Sequence, residues 1–393
     1  MTRVIKFGVG AALASVSALF ALQTTGAIYY ARNVGSLPPA LIDPDSVARL
    51  ELIDALRDEQ GTLASPASEV ERAARNALTA TPLNPTALRL LAEVKATDVD
   101  ASGDARLLEM SDRVSRRDLG TQLRLLQAAI AAEDVPKAMR HIDRALTTKP
   151  SSRTDIYRLM TPMFSLEQGV KELERLRDRP WFTGFISAAA REGDKPSSVA
   201  RFLLSDTLDW GRYDAVNLQT LVRRLALSGE VDLAHSMVVG MGADIDALKN
   251  FTFAAGSTDR AYAPVTWSLY DQADGYAELI DDRRLEILVR PSQRIVAAER
   301  ITALAPGSYT LRTAVGALEG DAPLVLWEVA CLKNGKPERI ASLRVPVAAG
   351  DDVATSTVAI PAACTTQLWN LTAQTDLARS PSVFKLSADL RRQ

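Results

Sequence analysis

The chain has 393 residues, of which 47% are hydrophobic and 24% are charged, and its 46 basic and 48 acidic side chains give a net charge of -2. This balance excludes a global electrostatic attraction to nucleic acid, and the apolar fraction excludes disorder over the bulk of the chain. Two histidines and two cysteines are too few for the usual four-ligand zinc site unless nearly all of them converge.

The first predicted element is an uncharged apolar run near the N-terminus. The run from Phe7 to Tyr30 is long enough, as a helix, to span the roughly 30 Å hydrocarbon core of a bilayer. Arg3 and Lys6 precede it, which favours a cytoplasmic N-terminus and translocation of the remaining chain. A cleaved signal peptide is one alternative, and a buried first helix of a cytoplasmic protein is another. Residues 1–32 are therefore predicted to be a transmembrane anchor or a signal sequence.

A helical region is predicted after a short tether. Residues 33–45 are rich in proline and contain glycine, which predicts an extended linker. From there to residue 245, alanine, leucine, arginine and glutamate recur at helical spacing. Two runs of this kind flank Ser228-Gly229-Glu230 and predict a helical hairpin. We therefore expect residues 46–245 to be α-helical.

A pair of landmarks in the helical region recurs further along the chain. Ala77 and Pro82 are matched by Ala145 and Pro150 with the same spacing inside each pair. The second pair follows the first after two periods of about 34 residues, the period of tetratricopeptide repeats, and residues 70–152 resemble that family. The resemblance implies a solenoid of stacked helical hairpins with a concave surface for protein partners.

The period of the apolar residues changes near Phe251. Short alternating or β-branched segments follow, bounded by glycine, proline, asparagine or aspartate. They span residues 265–270, 285–289, 308–313, 324–329, 340–345, 353–360, 367–373 and 383–390. Asn334-Gly335 is a typical hairpin turn. The pattern predicts an antiparallel β-sandwich over residues 251–393, and a jelly roll is favoured.

Part of this region resembles a family of binding modules. Residues 307–311, followed by residues 327–331, look like strands of carbohydrate-binding β-sandwiches, which implies a glycan as a possible ligand. Tryptophan offers a flat ring on which a sugar can stack. Trp327 and Trp369 lie in continuous apolar runs and are expected in the core, whereas Trp267 has polar neighbours and is the candidate carbohydrate-binding residue.

Both cysteines lie in the predicted sandwich. Cys331 and Cys364 are the two cysteines of the chain, and an even number of cysteines in a translocated chain favours a disulfide. Two buried thiols, which pack as small hydrophobic side chains, are the alternative. We expect the disulfide.

No catalytic constellation is recognisable. The sequence has no Gly-x-Ser-x-Gly elbow and no glycine-rich phosphate loop, and His141 and His235 lie in the helical region without a triad context. An acidic stretch that begins at Asp271 offers oxygen ligands for calcium, but its spacing matches no EF-hand and a solvated loop is favoured. Its carboxylates are Asp271, Asp274, Glu278, Asp281 and Asp282. We therefore predict no catalytic residue, no metal site and no cofactor.

These features predict a multidomain α + β protein that is not an enzyme. The leading hypothesis is a single-pass protein of the bacterial inner membrane, mostly periplasmic, whose helical repeats hold protein partners of envelope or exopolysaccharide assembly. The resemblances imply this role, and no single residue does. A carbohydrate-binding protein that uses the C-terminal sandwich is the alternative, and a polysaccharide-modifying enzyme is the third hypothesis.

Overall fold

A computed structural model describes most of the chain after the predicted tether. The described residues are 46–56, 63–95, 101–205, 210–281, 283–333, 335–347, 352–375 and 380–393. The predicted span from Phe7 to Tyr30 lies outside them, and within these ranges no helix has the length and apolarity needed to cross a bilayer. The chain divides into two compact units, Met1–Ile156 and Tyr157–Gln393, so the boundary falls within the helical region.

The first unit is built from α-helices, which confirms the helical prediction for this part of the chain. Its helices are α1 (Ser46–Ala55), α2 (Ala67–Ala80), α3 (Pro85–Lys95), α4 (Ala101–Val114), α5 (Leu119–Ala131) and α6 (Val135–Thr148). Each contacts the next along the chain. The first residues of α2, α4 and α6 recur at equal intervals, and the interval from α3 to α5 is the same.

Small side chains let these helices pack closely. Ala74 and Ala77 of α2 and Ala87 of α3 are fully buried, and they share one apolar cluster with Leu50 of α1 and Leu90 of α3. Each helix buries its apolar face only because a neighbouring helix covers it. Stability in such an arrangement therefore depends on contacts between successive helices.

A buried arginine lies inside this unit. Arg89 of α3 is 1% exposed, and its guanidinium forms ion pairs with Asp54 at 2.6 Å, Glu93 at 3.0 Å and Asp118 at 2.9 Å. Burial alone would lower the pKa of Arg89, but the hydrogen bond to Asp54 and the three negative charges raise it above its ordinary value. Asp118 also accepts the backbone N–H of Thr121 and caps α5. One cation therefore connects three helix segments.

A second polar network joins α4, α5 and α6. Nδ1 of His141 lies 2.9 Å from Oε1 of Gln122, and Nε2 of Gln122 donates to Asp112 at 2.8 Å. Arg144 donates to both carboxylate oxygens of Asp112. Burial lowers the pKa of His141 to about 4, so this imidazole is neutral at pH 7. His141 therefore belongs to a packed polar network between these helices.

Further helices follow, of which the first spans the boundary between the units and the others belong to the second unit. They are α7 (Arg153–Met160), α8 (Glu167–Arg175), α9 (Phe182–Glu192), α10 (Pro196–Leu204), α11 (Ala215–Leu227), α12 (Val231–Gly240) and α13 (Ile245–Lys249). The predicted hairpin around Gly229 is the pair α11 and α12, which contact each other. Aromatic rings fill the space among α9, α10 and the preceding segment, where Phe164 and Phe185 stack with centroids 5.2 Å apart.

The strands that follow confirm the predicted antiparallel sandwich. They are β1 (Ser268–Leu269), β2 (Asp271–Gln272), β3 (Gly275–Asp281), β4 (Arg284–Val289), β5 (Arg294–Thr302), β6 (Gly307–Glu319), β7 (Leu324–Lys333), β8 (Lys336–Val345), β9 (Asp352–Ile360), β10 (Gln367–Gln374) and β11 (Ser382–Arg392). A five-stranded sheet has the order β1-β5-β10-β7-β8, and a six-stranded sheet has the order β2-β3-β4-β11-β6-β9.

The core of the sandwich lies between the two sheets. Trp327 and Trp369 of the five-stranded sheet and Phe384 and Leu386 of the six-stranded sheet are fully buried in one apolar cluster. Strand residues point alternately to opposite faces, so the residues between these positions point outward. This alternation places Arg312 and Ala314 of β6 and Ser387 and Asp389 of β11 on the outer face of the six-stranded sheet, whereas Thr313 of β6 is buried and accepts a hydrogen bond from Trp327.

The predicted disulfide is present. Cys331 near the C-terminal end of β7 and Cys364 just before β10 are bonded, with the sulfur atoms 2.33 Å apart. Both residues are buried, and Cys331 pairs with Gln367 of β10 in the sheet. The disulfide therefore ties the loop before β10 to the neighbouring strand β7.

Arg300 of β5 connects the last helix to the sandwich. It is 2% exposed, and it donates to the backbone carbonyls of Val265 at 3.1 Å and Asn250 at 2.5 Å, and to that of Leu248 at the end of α13. Its guanidinium lies over the ring of Trp267, 5.6 Å from the centroid. Burial lowers the pKa of Arg300 to about 10, so the side chain remains cationic at neutral pH.

Candidate functional site

The outer face of the six-stranded sheet carries a shallow groove of about 670 Å³. The groove lies over the adjacent strands β11 and β6 and reaches β4 on one side and β9 on the other. On β11, the buried side chains of Leu386 and Ala388 point into the core, so Ser387 and Asp389 between and beyond them point toward the groove. Strand alternation therefore selects which side chains can meet a ligand.

Short side chains form the floor of the groove. Ser387 of β11 is the ladder partner of Ala314 on β6, and Ala314 is in turn the partner of Val353 on β9. Serine and alanine leave space above the backbone that longer side chains would fill. The lowest part of the groove therefore lies where β11 and β6 pair.

Charged side chains form the walls of the groove. Nε of Arg284 donates to Asp281 at 2.6 Å, and Nε of Arg391 donates to Asp389 at 2.7 Å. The backbone N–H of Arg283 is the main cause that lowers the pKa of Asp281, with further contributions from the hydrogen bonds and charge of Arg284. Asp281 is therefore ionised at neutral pH, and its carboxylate orders the turn between β3 and β4.

Two further arginines in the groove have guanidinium groups without a partner among the residues that the structure describes. Arg312 of β6 and Arg283 of the β3–β4 turn are exposed, and neither guanidinium forms an ion pair or a hydrogen bond within the part of the chain that the structure describes. On the ladder, Arg312 stands opposite Asp389 of β11 and Thr355 of β9. The groove therefore offers both paired charges and free cationic donors to solvent.

Trp267 lies in the core and lines no exposed surface. Its ring is 0% exposed and packs against Phe253 at 4.9 Å, Phe251 at 5.0 Å and Trp327 at 5.8 Å between centroids. This burial corrects the expectation that Trp267 presents a face to a sugar. The polar neighbour that suggested exposure, Thr266, is itself buried and donates its hydroxyl to the carbonyl of Asp259.

The acidic stretch forms paired strands, where a solvated loop was expected. Asp271 lies in β2 and pairs with Arg260 at 3.2 Å, Asp274 accepts the hydroxyl of Tyr270 at 2.8 Å, and Glu278 stands opposite Glu286 on β4. Asp282 lies outside the described residues. Within those residues, no group of three or more His, Cys, Asp and Glu side chains is placed to hold a metal ion.

A second concave surface of about 630 Å³ lies between α11 and strands β1, β2 and β5. Several of its polar groups already bind one another. Arg260 pairs with Asp271, and Nε2 of Gln219 donates to the carbonyl of Arg260 at 2.5 Å. These contacts engage Arg260, Asp271 and Gln219, whereas the side chains of Arg223 and Glu299, which also line this surface, form no hydrogen bond or ion pair among the described residues.

Apart from Asp281, which belongs to the acidic stretch, the residues of the groove were missed at the level of sequence, although part of the signal was present. In the predicted segment 383–390, Lys385, Ser387 and Asp389 alternate with Phe384, Leu386 and Ala388. This alternation assigns the polar set to an outer face. It does not identify the neighbouring strand, so the approach of Ser387 to Ala314 was not predictable from spacing.

The comparisons with known proteins concern about one third of the chain. No protein-family model matches it, and no curated protein does. One similar solved structure is TmCBM61 in complex with β-1,4-galactotriose, with 10% identity, a TM-score of 0.24, and coverage of 32% of this chain and 88% of that chain. A CBM4 structure has 17% identity, a TM-score of 0.24, and coverage of 33% and 96%. The enzymatically active domain of tailspike protein 4 from bacteriophage CBA120 has 12% identity, a TM-score of 0.22, and coverage of 32% and 19%.

Proposed function

We propose that the chain binds carbohydrate in the groove on the outer face of the six-stranded sheet. The observation that carries this proposal is the combination of a small-residue floor at Ser387 and Ala314 with walls of guanidinium and carboxylate groups. Sugar hydroxyls both donate and accept hydrogen bonds, and these walls provide acceptors and donors side by side. A concave surface with a few convergent polar groups is the usual form of a binding site.

The direction of the groove suits an extended sugar chain. It crosses the neighbouring strands β4, β11, β6 and β9, and adjacent strands lie about 4.8 Å apart, so the path from β4 to β9 measures about 14 Å. We propose a jelly-roll arrangement for this sandwich, in which the glycan lies across the strands. The ligand class is therefore a polysaccharide or an oligosaccharide, bound along its length.

Filling the floor of the groove should weaken glycan binding strongly. In Ala314→Tyr, a bulky side chain occupies the space beside Ser387, while the outward position and the β-propensity of tyrosine leave the strand intact. We expect at least a tenfold loss of affinity, measured by isothermal titration calorimetry with the full chain and the glycan that it retains best from a panel of neutral and acidic polysaccharides.

The matched control is Ala359→Tyr on β9. Ala359 is exposed on the same face of the same sheet, six residues along the strand from Val353, or about 20 Å away. This variant should bind as the natural chain does. Equal affinity of both variants, or no retention of the natural chain by any polymer in the panel, would contradict the proposal.

We also propose that the helical unit is a tetratricopeptide-like solenoid that holds protein partners, as a second function beside glycan binding. The recurrence of the first residues of α2, α4 and α6 at the period of this repeat supports the proposal. Stacked hairpins of this kind present an extended surface on which a protein or peptide can lie. The partners would then be proteins of an envelope or exopolysaccharide assembly.

We propose that the run from Phe7 to Tyr30 anchors the chain in the bacterial inner membrane, with the rest in the periplasm and without enzymatic activity. The disulfide between Cys331 and Cys364 supports an oxidising compartment. Cell fractionation should find the chain in membranes until detergent is added, and maleimide should label neither cysteine before reduction. A soluble chain with two reactive thiols would contradict this placement.

A further inference from the structure

We infer that the glycan bound in this groove is acidic and that Arg312 recognises its carboxylate groups. This inference rests on the proposed carbohydrate binding and specifies its ligand. Among the described residues, four arginines line the groove, at positions 283, 284, 312 and 391, against two carboxylates, Asp281 and Asp389. The groove therefore has an excess of positive charge, although the whole chain has a net charge of -2.

The pairing within the groove identifies which cations are available. Arg284 is engaged with Asp281 and Arg391 with Asp389, so each carboxylate already has a cationic partner. Arg312 and Arg283 have none among the described residues. An unpaired guanidinium presents a planar fork of donors whose geometry matches a carboxylate, with two parallel hydrogen bonds.

Arg312 is placed to contact a ligand on the floor of the groove. It stands on β6 two residues from Ala314 and on the same face, about 7 Å along the strand. Its ladder neighbours are Asp389 and Thr355, so a threonine hydroxyl lies on the side away from β11. A ligand bound above Ala314 and Ser387 therefore has the guanidinium of Arg312 and hydroxyl groups beside it.

The local charge favours a carboxylated glycan over a nucleic acid. Binding to the phosphate backbone of a nucleic acid requires many cationic contacts along a tract, and the groove offers only two unpaired arginines among the residues that the structure describes. The carboxylates of an acidic sugar chain are regular but widely spaced, so two unpaired arginines are enough to bind them. The chemistry of the groove therefore indicates a polymer that contains uronic acid.

The test uses two polymers with the same backbone. Polygalacturonate carries free carboxylates, and in its fully methyl-esterified form these groups are neutral. Titration of the full chain should show at least tenfold tighter binding to the acid form, and the difference should shrink as salt is raised. In Arg312→Gln, affinity for the acid form should fall about tenfold while affinity for the ester form stays unchanged.

Arg344→Gln is the matched control, because Arg344 is an exposed arginine on β8 of the other sheet. It should leave both affinities unchanged, and the melting temperature of each variant verifies the fold. One contrary result is that the natural chain binds the two polymers equally, with both affinities unchanged in Arg312→Gln. That result would overturn the proposal of an acidic ligand and leave the proposal of carbohydrate binding in place. Binding of neither polymer, nor of any other glycan in the panel, would overturn both.

Discussion

Replacing Arg89 by methionine is expected to lower the free energy of unfolding of the helical unit by about 3–5 kcal/mol. The substitution removes the cation that Asp54, Glu93 and Asp118 share. Glu93 and Asp118 are largely buried, with side chains 7% and 13% exposed, so their charges lose their main compensation. Methionine keeps an unbranched apolar stem, so the loss reports the charge more than a cavity.

Two optical signals separate the units in this experiment. The five tryptophans lie at positions 181, 210, 267, 327 and 369, all in the second unit. During urea denaturation of Arg89→Met, far-UV circular dichroism should therefore decrease before tryptophan fluorescence changes. Arg124→Met is the control, because Arg124 is 40% exposed and its pair with Glu93 contributes at most about 1 kcal/mol. An unchanged denaturation profile of Arg89→Met would contradict the structural role of this arginine.

Replacing Trp267 by alanine is expected to destabilise the second unit by about 3–5 kcal/mol, because it opens a cavity in the core. Phe251, Phe253 and Trp327 would each lose a packed aromatic neighbour. Loss of tryptophan fluorescence from the four remaining tryptophans during denaturation measures the change. Trp267→Phe retains most of the buried apolar surface and should cost clearly less.

Glycan binding distinguishes a core role of Trp267 from a surface role. Trp267 has no exposed area and lies outside the groove, so folded Trp267→Phe should bind glycan as tightly as the natural chain. A residue that stacks on the sugar would behave in the opposite way, with affinity lost and stability kept. That second pattern would restore Trp267 as a binding residue.

The sequence predicts local structure well in this chain because most of its elements are regular. Every predicted segment from residue 285 onward falls within a strand, since each has apolar residues on one face and turn residues at its ends. The helical hairpin at α11 and α12 was predictable for the same reason. Its helical period is interrupted only at Gly229, which adopts a positive φ of 91°.

The predictions fail where a tertiary contact breaks the local pattern. Strand β5 was missed because Arg300 points into the core and a bulge at Ala297 interrupts the register with β10, so its apolar residues do not alternate. Strand β3 was missed because Glu278 and Asp281 are exposed acidic residues, which suggest a loop. Thr266 misled the assignment of Trp267, because its hydroxyl is satisfied by a backbone carbonyl within the protein.

The candidate site was only half predictable. Alternation in the segment 383–390 assigns Ser387 and Asp389 to an outer face, but the pairing of β11 with β6 joins residues that are far apart in the chain, such as Ser387 and Ala314. Such long-range pairing has no local sequence signal. The lack of a partner for Arg312 among the described residues likewise depends on which side chains surround it in the folded sheet.

The most direct test of carbohydrate binding in the groove is a crystal structure of the full chain with an oligosaccharide of the polymer that it binds best. We expect the sugar to lie across β11 and β6, above Ser387 and Ala314, with its carboxylate against Arg312. A sugar bound elsewhere, such as the surface between α11 and β1, would contradict the account, as would an empty groove at saturating ligand.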